Sequence, residues 1–85
     1  MTEIQSLARG LRILEILADS PKGVSVTELA ELLDLDKGSA SRLVSTLANY
    51  GYAEKDPISR RFSLGPQVVS LSRSLLSRLP LREVE

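Results

Sequence analysis

The chain contains no cysteine and no histidine. Without cysteine neither a disulfide frame nor a thiolate metal site can form, and without histidine the commonest metal ligand and general base are gone as well. Carboxylates are the remaining acid–base groups, and no nucleophile–base pair or ligand set accompanies them, so the expectation is no catalytic residue, no metal and no cofactor. Paired acids such as Glu28 and Glu31 read as solvated helix surface. Aromatic residues make up only 4% of the chain, too few for the stacking platform on which single-stranded RNA is usually read. No apolar run approaches membrane-spanning length and no signal-peptide pattern opens the sequence, which predicts a soluble cytoplasmic protein with no membrane partner. Eighty-five residues can close one small core but cannot also house a sizeable substrate pocket. A binding module fits better than an enzyme.

The formal net charge is zero, but the charges are unevenly placed. Residues 1–36 carry Arg9, Arg12 and Lys22 against seven acids, whereas residues 37–64 carry Lys37, Arg42, Lys55, Arg60 and Arg61 against Glu54 and Asp56. Local potential, not the total, decides whether a polyanion is attracted.

A first helix is predicted from after Ser6 to about Asp19, with Leu7, Leu11, Leu14 and Ala18 as its core stripe. Ile13 and Ile16 fall outside that stripe and form a spare apolar edge suited to a partner. Gly10, inside the helix, suggests close helix packing. Ser20-Pro21-Lys22-Gly23 is a turn, and Val24-Ser25-Val26 a short strand leading into a helix over 26–33. Ser25 with Glu28 three residues later has the form of a capping box, and Val26, Leu29, Ala30 and Leu33 form the buried stripe. Asp34-Leu35-Asp36 is a tight turn in which Asp36 can cap the next helix, expected to run to about Tyr50 before Gly51 ends it. Residues 52–56 and 61–64 read as two strands around Pro57-Ile58-Ser59-Arg60, a hairpin with a basic tip. Gly65-Pro66 opens a last helix with Val68, Leu71, Leu75 and Leu79 in a stripe that ends at Pro80.

This order predicts a mainly α fold with a small β-hairpin, a winged helix-turn-helix followed by a further helix. On the third helix, at about 100° per residue, Ala40, Leu43, Val44 and Leu47 fall on one side and Gly38, Arg42, Ser45 and Asn49 on the other. The outer face is small or hydrogen-bonding throughout, so its backbone can approach base edges in the major groove of double-stranded DNA. Gly38, Ser39, Ser41 and Ser45 give closeness, and Arg42 can make bidentate bonds to guanine or clamp a phosphate. Lys37 stands at the helix N-terminus, and Ser25 and Thr27 open the second helix, where free amides favour a phosphate. Arg60 and Arg61 at the wing, and Arg9 on the first helix, complete the candidate DNA contacts. A winged helix serving as a protein–protein module is the rival reading, but its outer face would carry large apolar or aromatic anchors.

Ser6-Leu7-Ala8-Arg9-Gly10-Leu11-Arg12-Ile13-Leu14, Leu29-Ala30, the run Leu35-Asp36-Lys37-Gly38-Ser39-Ala40-Ser41-Arg42-Leu43, Gly51-Tyr52 and Leu64-Gly65-Pro66 together resemble the N-terminal DNA-binding region of the IclR family of prokaryotic transcription regulators. The resemblance covers most of the chain. It implies a winged helix-turn-helix over residues 1–65, a linker helix over 66–85 and a larger effector-binding domain absent from these residues, through which a small molecule would act. It further implies dimers or tetramers, and Arg9, Lys37 and Arg42 as leading DNA contacts. Two copies would meet through Ile13 and Ile16 on the first helix and Val69 and Leu76 on the linker helix, placing two recognition helices on a roughly palindromic site about 34 Å or a multiple apart. The chain departs from the family pattern at Asp36, Gly38 and Arg60, where the pattern carries proline, serine and glycine. Arg60 is thereby expected to take a left-handed backbone.

Overall fold

Side-chain caps set the two central helices. Ser25 Oγ accepts a hydrogen bond from the Glu28 amide at 3.1 Å, and Glu28 Oε1 accepts one from the Ser25 amide at 3.0 Å, so the capping box is complete. Helix α2 (Val26–Leu33) follows from it. It ends where Asp34 adopts a left-handed conformation, φ 57°, which aspartate tolerates better than most residues. The turn closes with the Leu35 amide on the Ala30 carbonyl at 2.8 Å, and the next residue, Asp36, caps helix α3 (Lys37–Asn49) by accepting from the Ser39 amide at 2.9 Å.

The computed structural model describes residues 2–80. In chain order the elements are α1 (Gln5–Ala18), α2, α3, strands β1 (Ala53–Lys55) and β2 (Phe62–Leu64), and α4 (Gln67–Leu76). The two strands pair antiparallel with Ala53 opposite Leu64 and Lys55 opposite Phe62, and Val24 adds a single bridge to Phe62 on the other side. This is the predicted architecture, four helices and a hairpin in winged helix-turn-helix order. Residues 81–85, expected to continue the linker helix, lie outside the described residues. No helix among the described residues is long and apolar enough to cross a membrane.

The core is made by Ile13, Ile16 and Leu17 of α1, Val24, Leu29 and Ala30, Ala40 and Val44 of α3, and Ala53 and Phe62 of the hairpin. Three expectations for α1 are overturned here. Ile13 is fully buried and Ile16 is 7% exposed, whereas Leu7 and Leu11 are 61% and 56% exposed. The core stripe and the spare edge are therefore exchanged, and Ile13 and Ile16 are unavailable to a partner. Both stripes are apolar at helical spacing, so periodicity alone could not rank them; the packing of α1 on α3 and β2 selects the isoleucine side. Gly10 is likewise not a close-packing glycine, since a Cβ there would meet no atom within 4 Å. It faces an apolar cleft lined by Leu7, Leu11, Leu14, Leu43 and Leu47.

A tight seam joins the end of α3 to α4. Gly51 has φ 87°, its carbonyl accepts the Gln67 amide at 2.9 Å, and a Cβ on Gly65 would collide with that carbonyl and lie 2.9 Å from the Ala53 nitrogen. Helix α4 leaves this seam with no buried residue, exposing Val69, Leu71, Leu75 and Leu76.

Candidate nucleic-acid interface

The outer surface of α3 is built by elimination. Ala40 and Val44 are buried and Leu43 and Leu47 pack against the core, so the opposite arc, holding Gly38, Arg42, Ser45 and Asn49, faces outward at helical phase. Arg42 and Ser45 are exposed and Ser41 is half-buried at the side. On each flank of this arc lies a cleft. One, between α1 and α3, is lined by Ser6, Arg9, Ser39, Arg42 and Thr46. The other, of about 470 Å³, lies between α3, the start of α2 and the wing; Lys37, Lys55 and Arg60 line it together with Ser25, Thr27, Gly38, Ser41 and Ser59. Among the described residues the ion pairs are Arg12–Glu15 and Arg61–Glu28. Arg9, Lys37, Arg42, Lys55 and Arg60 therefore carry their charge without an acidic partner on that surface.

The wing is held at its tip by Asp56, whose Oδ2 accepts from the Ser59 amide at 2.7 Å while its carbonyl accepts from the Arg60 amide at 2.8 Å. These bonds force Arg60 into the left-handed region, φ 64°, as its replacement of a glycine predicts. The tip residues 56–60 are exposed throughout, Ile58 most of all at 90%.

The structure redistributes several expected roles. At each of the two helix N-termini a carboxylate takes up one amide, Glu28 that of Ser25 and Asp36 that of Ser39. The Ser25 amide holds the Glu28 carboxyl below its ordinary value of 4.5, with a further contribution from Arg61. The Ser39 hydroxyl, then its amide, does the same for Asp36 below 3.8. That hydroxyl donates to Asp36 Oδ1 at 2.8 Å, so Ser39 faces a ligand with acceptor capacity only. Gly38 fits the same cap, since a Cβ there would sit 3.1 Å from Asp36 Oδ2. A side chain at 38 would press on the carboxylate cap, which would have to give by a few tenths of an ångström.

Arg61 differs most from expectation. Its guanidinium turns away from the wing tip and donates to the Gly23 carbonyl at 3.0 and 3.3 Å and to Glu28 Oε1 at 2.9 Å. Its Nε and Nη2 are thus engaged by Gly23 and Glu28, while the side chain stays 38% exposed. Lys55, in contrast, was not singled out from the sequence. It is in phase with buried Ala53 on β1, and a lysine on the inward side of a hairpin end is the signal that the sheet there overhangs a cleft. Its Nζ lies 5.6 Å from the centre of the Phe62 ring, a cation–π contact that supports the stem while leaving the ammonium in the cleft. Thr46, which lines the Arg9–Arg42 cleft, was also missed; its hydroxyl donates to the Arg42 carbonyl at 2.7 Å.

The model of the IclR helix-turn-helix domain matches residues 6–57. The chain belongs to the IclR helix-turn-helix family. It is 36% identical over 80 residues to an uncharacterized HTH-type transcriptional regulator of Haemophilus influenzae, covering 94% of this chain and 30% of that protein. It is 37% identical over 81 residues to the HTH-type transcriptional regulator TsaQ1/TsaQ2 of Comamonas testosteroni, covering 95% and 29%. The crystal structure of an IclR-type transcriptional regulator from Alicyclobacillus acidocaldarius superposes with a TM-score of 0.82 at 32% identity, over 87% of this chain and 30% of that one. The chain thus spans about three-tenths of the length of these relatives. They are transcriptional regulators, and the surface they share with this chain is the IclR-type winged helix.

Proposed function

We propose that this chain is the DNA-reading part of a prokaryotic transcriptional regulator acting in the cytoplasm, with α3 in the major groove and the wing on the adjacent backbone or minor groove. The observation that carries the reading is the pair of cationic clefts on either side of an unobstructed helix. A major groove is walled by two phosphate backbones, and a helix inserted between them meets one wall on each flank. Arg9 and Arg42 serve one wall; Lys37, Lys55 and Arg60 serve the other. Ser41, Ser45 and Arg42 then address base edges, with Gly38 allowing close approach.

Two copies on a roughly palindromic site follow from the same reading. With Ile13 and Ile16 in the core, the surface for association on α1 is Leu7 and Leu11, joined by Val69 and Leu76 of α4, all exposed. Helix α4 acts as a linker helix, and a small-molecule effector acts through a further domain, in keeping with relatives of more than three times this length.

Selection of bound sequences from a random duplex pool tests the function. Recovery of a shared motif, with half-sites one helical turn or a multiple apart, is the expected result; an unenriched pool, with binding equal on all sequences, rejects sequence reading.

A further inference from the structure

Among the described residues the side-chain hydrogen bonds that span a long stretch of chain all come from Arg61 on the wing. Glu28 Oε1 accepts two hydrogen bonds, from the Ser25 amide at 3.0 Å and from Arg61 Nη2 at 2.9 Å. The same guanidinium donates through Nε and Nη2 to the Gly23 carbonyl. One carboxylate oxygen therefore belongs both to the cap of α2 and to the wing. Both acceptors are fixed beforehand, Glu28 by the capping box and Gly23 by the Val24–Phe62 bridge, whose amides and carbonyls exchange bonds at 2.8 Å. A planar guanidinium meeting two preset acceptors loses less freedom than an ordinary surface pair. Arg61 also stands next to Phe62, the last buried residue of β2, and beyond it toward the tip nothing packs on the core. It is the final attachment before Lys55 and Arg60 reach their cleft.

We propose that Arg61 and Glu28 form a latch that fixes the wing's position over DNA relative to α3, so that both are positioning residues for DNA binding and neither touches DNA. The proposal rests on the DNA-binding reading above. Arg61 raises affinity by holding Arg60 and Lys55 at the height of the phosphates on that flank.

The test uses a duplex carrying the motif selected from the random pool, and reads affinity per folded molecule and the slope of log affinity against log salt. The parent must bind that duplex in preference to random sequence; its failure there would reject the function itself, not the latch. Arg61→Lys keeps the charge but not the fork. The latch predicts that Arg61→Lys and Arg61→Met both weaken binding about tenfold and both shallow the slope, because the phosphate contacts of Arg60 and Lys55 are lost with the wing's position. A direct phosphate contact predicts instead that Arg61→Lys keeps near-parental affinity and slope and that only Arg61→Met shallows it, by about 0.9, as Arg60→Ala does. Hydroxyl-radical protection should fade at the wing's positions and persist at those of α3. Glu28→Ala should cost little more once Arg61 is already lysine, the sign of one shared device. Near-parental affinity and slope in Arg61→Lys, undiminished affinity in both Arg61 variants, or full additivity with Glu28→Ala would each overturn the latch.

Discussion

Arg42 is exposed, without an acidic partner, and borders both the outer arc of α3 and the Arg9 cleft. Arg42→Ala should cost about 1–3 kcal/mol on a selected site and flatten discrimination against random DNA; equal losses on the two duplexes, measured by fluorescence anisotropy, would reduce it to a phosphate clamp. Three carboxylates also make a residue-scale statement about pH. Glu28 is lowered from 4.5 chiefly by the Ser25 amide, Asp36 from 3.8 by the Ser39 hydroxyl and amide, and Asp56 from 3.8 by the Ser59 amide. Because the folded values lie below the unfolded ones, the stability these groups give is complete above about pH 5 and drains away as pH falls through the folded values. The melting temperature should therefore be level from pH 7 to 5 and drop below 4, and Asp36→Asn should lessen that drop. An unchanged acid limb would remove Asp36 as a contributor.

At the scale of elements, the junction of α3, β1 and α4 depends on one missing methyl group. Gly65→Ala would drive a Cβ into the Gly51 carbonyl and the Ala53 nitrogen, and both are backbone with little room to yield. A loss of about 1–3 kcal/mol in urea denaturation is expected, together with displacement of α4, since the Gln67 amide shares the Gly51 carbonyl. Helix α2 offers a gentler perturbation: Ser25→Ala removes one half of the capping box and should cost about 0.5–2 kcal/mol. Its effect should fall on stability more than on DNA affinity, because Glu28 and Arg61 keep their contact.

At the scale of the whole molecule, the proposed pairing of two copies turns on the exposed apolar faces of α1 and α4. Ile13→Asp would place a carboxylate at a fully buried position and should unfold the domain, as expected for an unpaired charge in a core. Leu7→Asp with Leu11→Asp changes only exposed side chains. Sedimentation should then show a folded monomer where the parent associates; a double variant that keeps the parental mass would exclude this face of α1. Loss of association should also lower affinity for a two-half-site duplex far more than for a single half-site.

Much of this protein follows from local chemistry alone. Helix boundaries were legible because their signals are carried by neighbours in sequence: Ser25 with Glu28, Asp36 with Ser39, Gly51 at the end of α3, and Pro66 at the start of α4. The outer face of α3 was legible for the same reason, as Ala40 and Val44 had nowhere else to go. Faces and partners were not local. Helix α1 carries two apolar stripes, and only its packing on α3 and β2 buries Ile13 and Ile16 and leaves Leu7 and Leu11 in solvent. Arg61 and Lys55 lie in one short hairpin and both read as surface cations. Contacts 33 and 38 residues away in sequence turn Arg61 inward, while strand register sets Lys55 over the cleft. Sequence determined the elements and the reading helix, because those depend on interactions within a few residues; tertiary structure decided which cations are free to meet DNA, because that depends on what else lies within hydrogen-bond reach.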